Sequence, residues 1–302
     1  MDRTQLNVRF TDEVYGAGCD GPIMRALRRY YDVSESESPD VVFFGEGKSR
    51  EFRRFRSVIR IYVAVENRYP NFSECDYALT FLYLNNSRHL RVPVYVFDSD
   101  VESLLSKHQR HEELLLESRK FCSFVVSNGS RRTERRLGFF KKLNEARKVS
   151  SGGRILNNVG GAVANKHQFI REHRFDLCFE NHIWPGYTTE KLAHSLGAGC
   201  IPIYWGNPIV AADFNPASFI NVSDFANDDE AVAHILRVAD NVDLQRSYLQ
   251  APSFSGNHAN PFYCVDRLAV FLRKAIERGT GGRPFISIPS LVFRVRRQFG
   301  LY

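Results

Sequence analysis

Along this chain the hydrophobic pattern switches repeatedly between short apolar runs and longer amphipathic stretches, the rhythm of alternating strands and helices. Leu6–Phe10 alternates weakly and predicts a strand, and Ile23–Tyr31 predicts a helix. Val41–Phe44 is an unbroken apolar run before Gly45, as expected of a parallel strand covered on both faces. Phe52–Phe55 lies in a basic helix or turn. Val58–Val65, Tyr77–Phe81 and Val92–Phe97 read as further strands, the first running out at Glu66 and Asn67. From Val101 to Lys120 the pattern turns helical and charged, with Leu104, Leu105, Leu114, Leu115 and Leu116 as its apolar positions. This stretch predicts the link between two halves.

Beyond it, Phe121–Val126 is a strand ending at Ser127 and Asn128, and Leu137–Val149 is a helix. Phe175–Phe179 and Ile201–Trp205 are strands on either side of a helix at Thr189–Leu196. Ala231–Ala239 and Val265–Arg278 are helical. Each half therefore predicts a doubly wound α/β layer, with ligands expected at the carboxyl ends of the strands. The expected division is residues 1–110, 111–280 and a tail over 281–302.

Composition alters this picture little. Apolar residues are 43% and charged residues 25%, the balance of an ordinary globular protein, so neither a disordered nor a fibrous chain is in question. The abundance of rings, 24 Phe and 13 Tyr, serves cores and can line sugar or base pockets. The net charge of +7 suits an anionic partner: nucleic acid, a membrane surface or a phosphate-bearing small molecule. Six cysteines stand far apart with no C-x-x-C pair. They predict no zinc site; Cys178 and Cys200, in apolar runs, read as buried thiols, and a reducing compartment is expected. No leader-like start and no apolar run of about 18 residues is visible, so a cytoplasmic protein is expected. The tail mixes Ile288, Leu291, Val292, Phe293 and Phe299 with Arg294, Arg296 and Arg297, a pattern that suits either peripheral contact with the inner membrane face or packing on the body.

The densest chemistry lies between the strand at Phe175–Phe179 and the strand at Ile201–Trp205. Phe179 to Pro208 reads FENHIWPGYTTEKLAHSLGAGCIPIYWGNP. A buried strand delivers Glu180 and Asn181 to its end, a glycine-containing loop follows, and Thr188 or Thr189 can cap the next helix. Glu190 and Lys191 then occupy its first turn. A lysine is unfavourable at the positive end of a helix dipole, and that cost is repaid if it meets a bound anion. The plain alternative is a surface Glu–Lys pair.

This run resembles the signature of glycosyltransferase family 10, the α1,3/4-fucosyltransferases, with its G-Y-x-T-E-K and I-P-I-Y-W-G segments. Upstream, Glu66-Asn67, Pro70-Asn71-Phe72 and Asp76-Tyr77-Ala78 resemble the family's E-N…P-N-F…D-Y-A segment, and Phe124 to Asn128 its F-V-x-S-N strand end. Asn157-Asn158 and Asn165-Lys166 also have counterparts, so that about residues 1–275 can be laid on a bacterial member. The resemblance implies a GT-B fold, two Rossmann-like domains facing across a cleft, with the acceptor domain first and the GDP-fucose domain second. It implies an inverting α1,3-fucosyltransferase acting on the 3-OH of a GlcNAc or Glc residue in an oligosaccharide or glycan.

By position in the family motifs, Glu66 is the general base and Glu190 a carboxylate beside the fucose ring. Lys191 and Arg136 contact the diphosphate, and Asn181 and Tyr187 the nucleotide or fucose. Lys166, Ser127 and Asn128 join the donor-binding set. The spacer after Asn128 is about two residues longer than the family's, so Arg131, Arg132 and Arg135 compete with Arg136, Arg135 most closely. The link between Phe97 and Phe121 is shorter than in some relatives, and C-terminal heptad repeats are absent. No cofactor is required on this reading; GDP-fucose is the donor substrate, and Mn2+ is a stimulant at most.

Four other patterns stand out. Gly16-Ala17-Gly18-Cys19-Asp20-Gly21 matches G-x-G-x-x-G, but Thr11–Tyr15 separates it from its strand, and Glu46 is the nearest acidic residue at the next strand end. An acceptor-side loop is the simpler reading. Asp98-Ser99-Asp100 resembles the D-x-D of metal-dependent transferases, though Asp and Ser equally favour turns. Glu66 and Glu190 could serve a glycoside hydrolase, which has no need of the basic residues around them. The arginine runs at Arg53–Arg56 and Arg131–Arg136 carry no nucleic-acid signature, so no nucleic-acid partner is expected.

Overall fold

The computed structural model describes residues 3–116, 118–127 and 134–280. These residues form two compact units, each built on its own sheet. In the first unit, strands β1 (Thr4–Thr11), β2 (Tyr31–Glu35), β3 (Val41–Phe44), β4 (Ile59–Val63), β5 (Tyr77–Thr80) and β6 (His89–Arg91) lie in the order β2-β1-β3-β4-β5-β6. Pairing from β2 through β5 is parallel. All four residues of β3 are buried, as its unbroken apolar run demands. Helix α1 (Pro22–Leu27) opens with proline, whose missing N–H costs nothing in a first turn.

The second unit carries α2 (Val101–Ser106), α3 (His111–Leu116), β7 (Lys120–Phe124), α4 (Glu134–Ala146), β8 (Val149–Ser151), α5 (Lys166–Arg171), β9 (His173–Phe179), α6 (Glu190–Gly197), β10 (Ile201–Trp205), β11 (Ile220–Asn221), α7 (Asp228–Ala239) and α8 (Val242–Gln250). Its strand order is β11-β10-β9-β7-β8, all in parallel pairs. Strand β9 shows why both faces of the sheet must be covered. Phe175, Leu177 and Phe179 enter one core with Phe124, Phe139, Phe140 and Leu143, while Cys178 enters another with Leu192, Leu196 and Tyr204. The period-two alternation of a strand sends neighbours to opposite faces, and here each face meets helices.

Two parallel α/β units are the expected GT-B components. The units do not, however, divide the chain at residue 110. The second already includes Phe81–Leu84 and everything from Arg91 to Arg267, while the last described helix, α9 (Val265–Arg278), joins the first unit from Leu268 on. The reason is packing. Leu104, expected in a linking helix, is fully buried with Leu192 and Leu196, and Phe81 lies against Tyr187.

Several elements also differ from expectation. The helix expected to Tyr31 stops at Leu27, and Tyr31 begins β2, an edge strand held by backbone pairing to β1. No strand forms over Val92–Phe97, because Pro93 has no N–H to give a ladder and a 3-10 turn follows at Val94–Val96. The expected helix over Val101–Lys120 breaks at a 3-10 turn, Lys107–Arg110. The helix expected to end at Val149 ends at Ala146, and Val149 starts β8. Cys178 and Cys200 are buried as expected; all six cysteines are free, with Cys19 and Cys264 exposed. Among the described residues no helix is long and apolar enough to cross a membrane. The tail expected over 281–302 lies outside them.

Candidate active site

The second unit gathers its charged groups where β9 ends and α6 begins. Residues 175–179 are apolar enough, apart from Asp176, to bury the strand, so the two residues after it emerge from the core edge. The first, Glu180, is itself buried at 1% exposure. A bare carboxylate there would be costly, and its oxygens are accordingly all occupied. Oε1 accepts the Thr189 N–H at 2.7 Å, and Oε2 accepts the Thr189 hydroxyl at 2.7 Å and the Lys191 ammonium at 3.3 Å. Gly206, after β10, makes room: a Cβ there would stand 2.5 Å from Glu180 Cγ.

Thr189 occupies the N-cap position of α6, yet its side chain caps nothing. Its hydroxyl turns to Glu180 because an ionised carboxylate is a stronger acceptor than any use the helix offers a hydroxyl donor. Lys191 lies 2.8 Å from Thr189 Oγ1 and 3.6 Å from Glu190 Oε1. Glu190 in turn faces Lys166, the first residue of α5, at 3.7 Å. The charges thus alternate from Glu180 through Lys191 and Glu190 to Lys166. Burial pushes Glu180 up despite Lys191. Burial also opposes ionisation of Glu190, but Lys191 and Lys166 together hold it at about 2. Burial would lower Lys191, yet Glu180 and Glu190 raise it above the ordinary lysine value.

Helix α4 contributes two arginines with different tasks. Arg135 makes paired bonds to Asp228 at 2.6 and 2.7 Å and lies over Phe139, Phe179 and Trp205. Arg136 is nearly buried, at 4% exposure, and donates to Asn181 Oδ1 at 2.6 Å. Burial lowers its pKa, and the charge of Glu180 offsets only part of that. Of the competitors the sequence left open, Arg136 is joined to the cluster and Arg135 is tied to α7. Arg131 and Arg132 lie outside the described residues, as does Asn128.

Tyr187 is buried against Phe81, with ring centroids 5.0 Å apart, and beside Leu82. Its loop is pinned at several points. Asn207 accepts the Gly186 N–H at 2.8 Å and donates to Thr188 Oγ1 at 3.0 Å. Arg91 forks onto Asp213 at 2.9 and 3.0 Å, reaches Gly186 O at 3.4 Å, and is sandwiched between the rings of Tyr83 and Phe262. A bidentate, ring-stacked guanidinium is a rigid brace.

Ion pairs therefore bring together Lys166, Glu190 and Lys191 around Glu180, and a hydrogen bond joins Arg136 to Asn181, the residue after Glu180, with Tyr187 on the loop that follows. Ser127, exposed just past β7, shares no such bond with them. Glu66 belongs to the first unit, exposed at the carboxyl end of β4. The residue missed by sequence reasoning is Glu180. The signal was present: a lysine in a first helical turn needs a counter-charge, and a carboxylate at a buried strand end supplies one. The D-x-D segment spends its groups locally. Asp100 caps α2 through the Glu102 N–H, Ser99 bonds Tyr95 O and the Tyr263 hydroxyl, and the Asp98 carbonyl meets His194.

The chain matches two family profiles, the glycosyltransferase family 10 (fucosyltransferase) C-terminal part over residues 115–254 and the α-(1,3)-fucosyltransferase FucT N-terminal domain over residues 8–98. It is 35% identical over 246 residues to α-(1,3)-fucosyltransferase FucT of Helicobacter pylori, covering 69% of this chain and 51% of that one. It is 25% identical to an α-(1,4)-fucosyltransferase of Arabidopsis thaliana, covering 68% and 53%. The chain thus spans about half the length of these curated relatives. A crystal structure of an α1,3-fucosyltransferase with GDP-fucose superposes with a TM-score of 0.74 at 27% identity, covering 92% of each chain.

Proposed function

The chain belongs to glycosyltransferase family 10, and from that premise we propose that it moves L-fucose from GDP-fucose to the 3-OH of a GlcNAc or Glc residue in a glycan acceptor, with inversion. The observation that carries the reading is the pair of cations at the end of β9 and the start of α6, Lys191 held by Glu180 and Arg136 held by Asn181. When the bond from fucose C1 to the diphosphate breaks, negative charge collects on the leaving oxygen. Two fixed cations and a helix N-terminus are the groups that stabilise it. Glu190, held ionised by Lys191 and Lys166, favours the positive charge that develops on the sugar ring. Glu66 takes the proton of the attacking hydroxyl as general base. Lys166, Tyr187, Ser127 and Asn128 complete the donor-binding set.

With cations of the chain itself on the diphosphate, the reading needs no metal for turnover. N-acetyllactosamine-type chains, giving Lewis-type products, and the chitobiose core of an N-glycan are the acceptor classes we propose. A cytoplasmic location is part of the same reading, with contact at the inner membrane face and packing on the body both open to the basic tail. Its alternative is another GT-B transferase with a different sugar nucleotide.

The test is incubation of the purified protein with GDP-fucose in EDTA and in Mn2+, against N-acetyllactosamine, chitobiose and a core N-glycan, followed by mass and linkage analysis. A single α1,3-linked fucose formed in EDTA supports the proposal and names the acceptor. Consumption of a different sugar nucleotide with GDP-fucose untouched would replace the donor, and a product formed only with Mn2+ would remove the metal-free mechanism.

A further inference from the structure

The first unit holds a second carboxylate close to Glu66. Strands β3 and β4 are parallel neighbours, with Phe44 opposite Tyr62, so the chain leaves both at the same edge of the sheet. After β3 the backbone lies flat on the turn that follows β1. Gly45 N–H bonds Thr11 O at 3.1 Å and Gly47 N–H bonds Asp12 O at 2.8 Å. A Cβ on Gly45 would stand 2.5 Å from the Asp12 and Glu13 carbonyl oxygens, and one on Gly47 2.8 Å from the Asp12 backbone. Glycines on both sides thus hold Glu46 down on this surface.

The Glu46 side chain is only 14% exposed. Both of its oxygens are committed to the segment that bears Glu66. Oε2 accepts the Glu66 backbone N–H at 3.0 Å. Oε1 accepts the Tyr62 hydroxyl at 3.3 Å and faces Arg68 Nε at 3.4 Å. Tyr62 lies in β4 and Arg68 lies just beyond Glu66, so one carboxylate ties the turn before, at and after that residue. Burial raises the Glu46 pKa, while the Glu66 N–H and Arg68 oppose the rise. A carboxylate is kept in a half-buried place at a cost, and here its bonds all serve one turn.

We infer that Glu46 is a positioning residue for Glu66, fixing the backbone from which that side chain reaches the acceptor hydroxyl. The inference rests on the reading of Glu66 as the general base. A base must stand within hydrogen-bond reach of the proton it removes, and a displacement of about 1 Å can cost on the order of 100-fold in rate.

Four variants test it: Glu46→Ala, Glu46→Gln, Glu66→Gln and the double Glu46→Ala/Glu66→Gln. Glu46→Ala should lower kcat roughly 10- to 100-fold, with KM for GDP-fucose and Kd for GDP unchanged. Glu46→Gln keeps a carbonyl oxygen for the Glu66 N–H and should restore most of the rate. The double variant should be no slower than Glu66→Gln alone. Amide hydrogen exchange read by NMR needs no acceptor: the Glu66 N–H should exchange faster in Glu46→Ala and regain protection in Glu46→Gln. Wild-type kcat or unchanged exchange in Glu46→Ala overturns the inference, as does a loss that Gln fails to restore. Near wild-type transfer by Glu66→Gln removes instead the assignment of the base. If that result comes with inactive Glu46→Gln, the base is Glu46 itself.

Discussion

At Lys191 three short-range facts meet: a carboxylate on either side, a place in the first turn of a helix, and a neighbouring arginine held by Asn181. Without a bound anion its charge is shared by Glu180 and Glu190. A diphosphate would add a third claimant with two or more strong acceptors. Lys191→Ala should therefore weaken GDP binding by ~1.5–3 kcal/mol, about 10- to 150-fold, in a calorimetric titration. Glu180→Gln should act differently. It leaves Lys191 and the Thr189 N–H short of an ionised acceptor in a buried place, and should destabilise the second unit by roughly 3–5 kcal/mol. GDP should recover part of that loss in thermal unfolding, because the ligand brings the missing negative charge. An unchanged Tm would mean that Glu180 is neutral in this setting. At this scale local motif position singled out Lys191, Glu190 and Asn181 as candidates. It could not separate Arg135 from Arg136. One residue along a helix is a rotation of about 100°, and only the finished packing shows that Asp228 lies on one side and Asn181 on the other.

Elements behaved according to how much of their stability is local. Strands β3, β9 and β10 and helix α9 follow from runs long and apolar enough to identify themselves. Strands β6, β8 and β11 are short and β2 is mostly polar, and all four are held by pairing to neighbours that sequence spacing does not reveal. The break between α2 and α3 has an unusual occupant. Lys107, in the turn, is fully buried, and its ammonium donates to Tyr248 O at 2.9 Å. Burial lowers its pKa to about 7. In the unfolded chain it titrates near the ordinary lysine value. Between pH 7 and about 10 the unfolded state therefore binds the extra proton, and stability rises with pH by roughly 1.4 kcal/mol per pH unit in that window. Below pH 7 the folded state carries the buried charge and the full penalty persists. Lys107→Met should raise the denaturation midpoint at pH 7 and flatten the pH dependence between 7 and 10. A variant less stable than the parent at pH 7 would show that the bond to Tyr248 outweighs the cost of burial.

For the molecule as a whole, the chain starts in the first unit, builds the second, and comes back. In α9, Leu268, Leu272 and Ala275 are buried, Phe271 sets its edge against Tyr77 at 6.1 Å, and the Tyr77 hydroxyl donates to Gly279 O at 3.3 Å. Helix α9 is thus part of the core of the first unit. Leu272→Ala should cost that unit ~2–5 kcal/mol, read as an earlier unfolding transition, and leave GDP affinity unchanged. A drop in GDP affinity would tie α9 to the donor side. The sequence by itself determined the class of both halves, because alternating strand and helix periods with apolar central strands allow little else. It also brought the candidate charged residues together at the end of β9, because they are close in the chain. The tertiary structure alone decided where the units divide, that Arg136 and not Arg135 meets Asn181, and that Glu46 reaches the turn of Glu66. Each of these depends on groups far apart in sequence whose approach is set by packing and by the need to satisfy buried charge, quantities that no local pattern encodes.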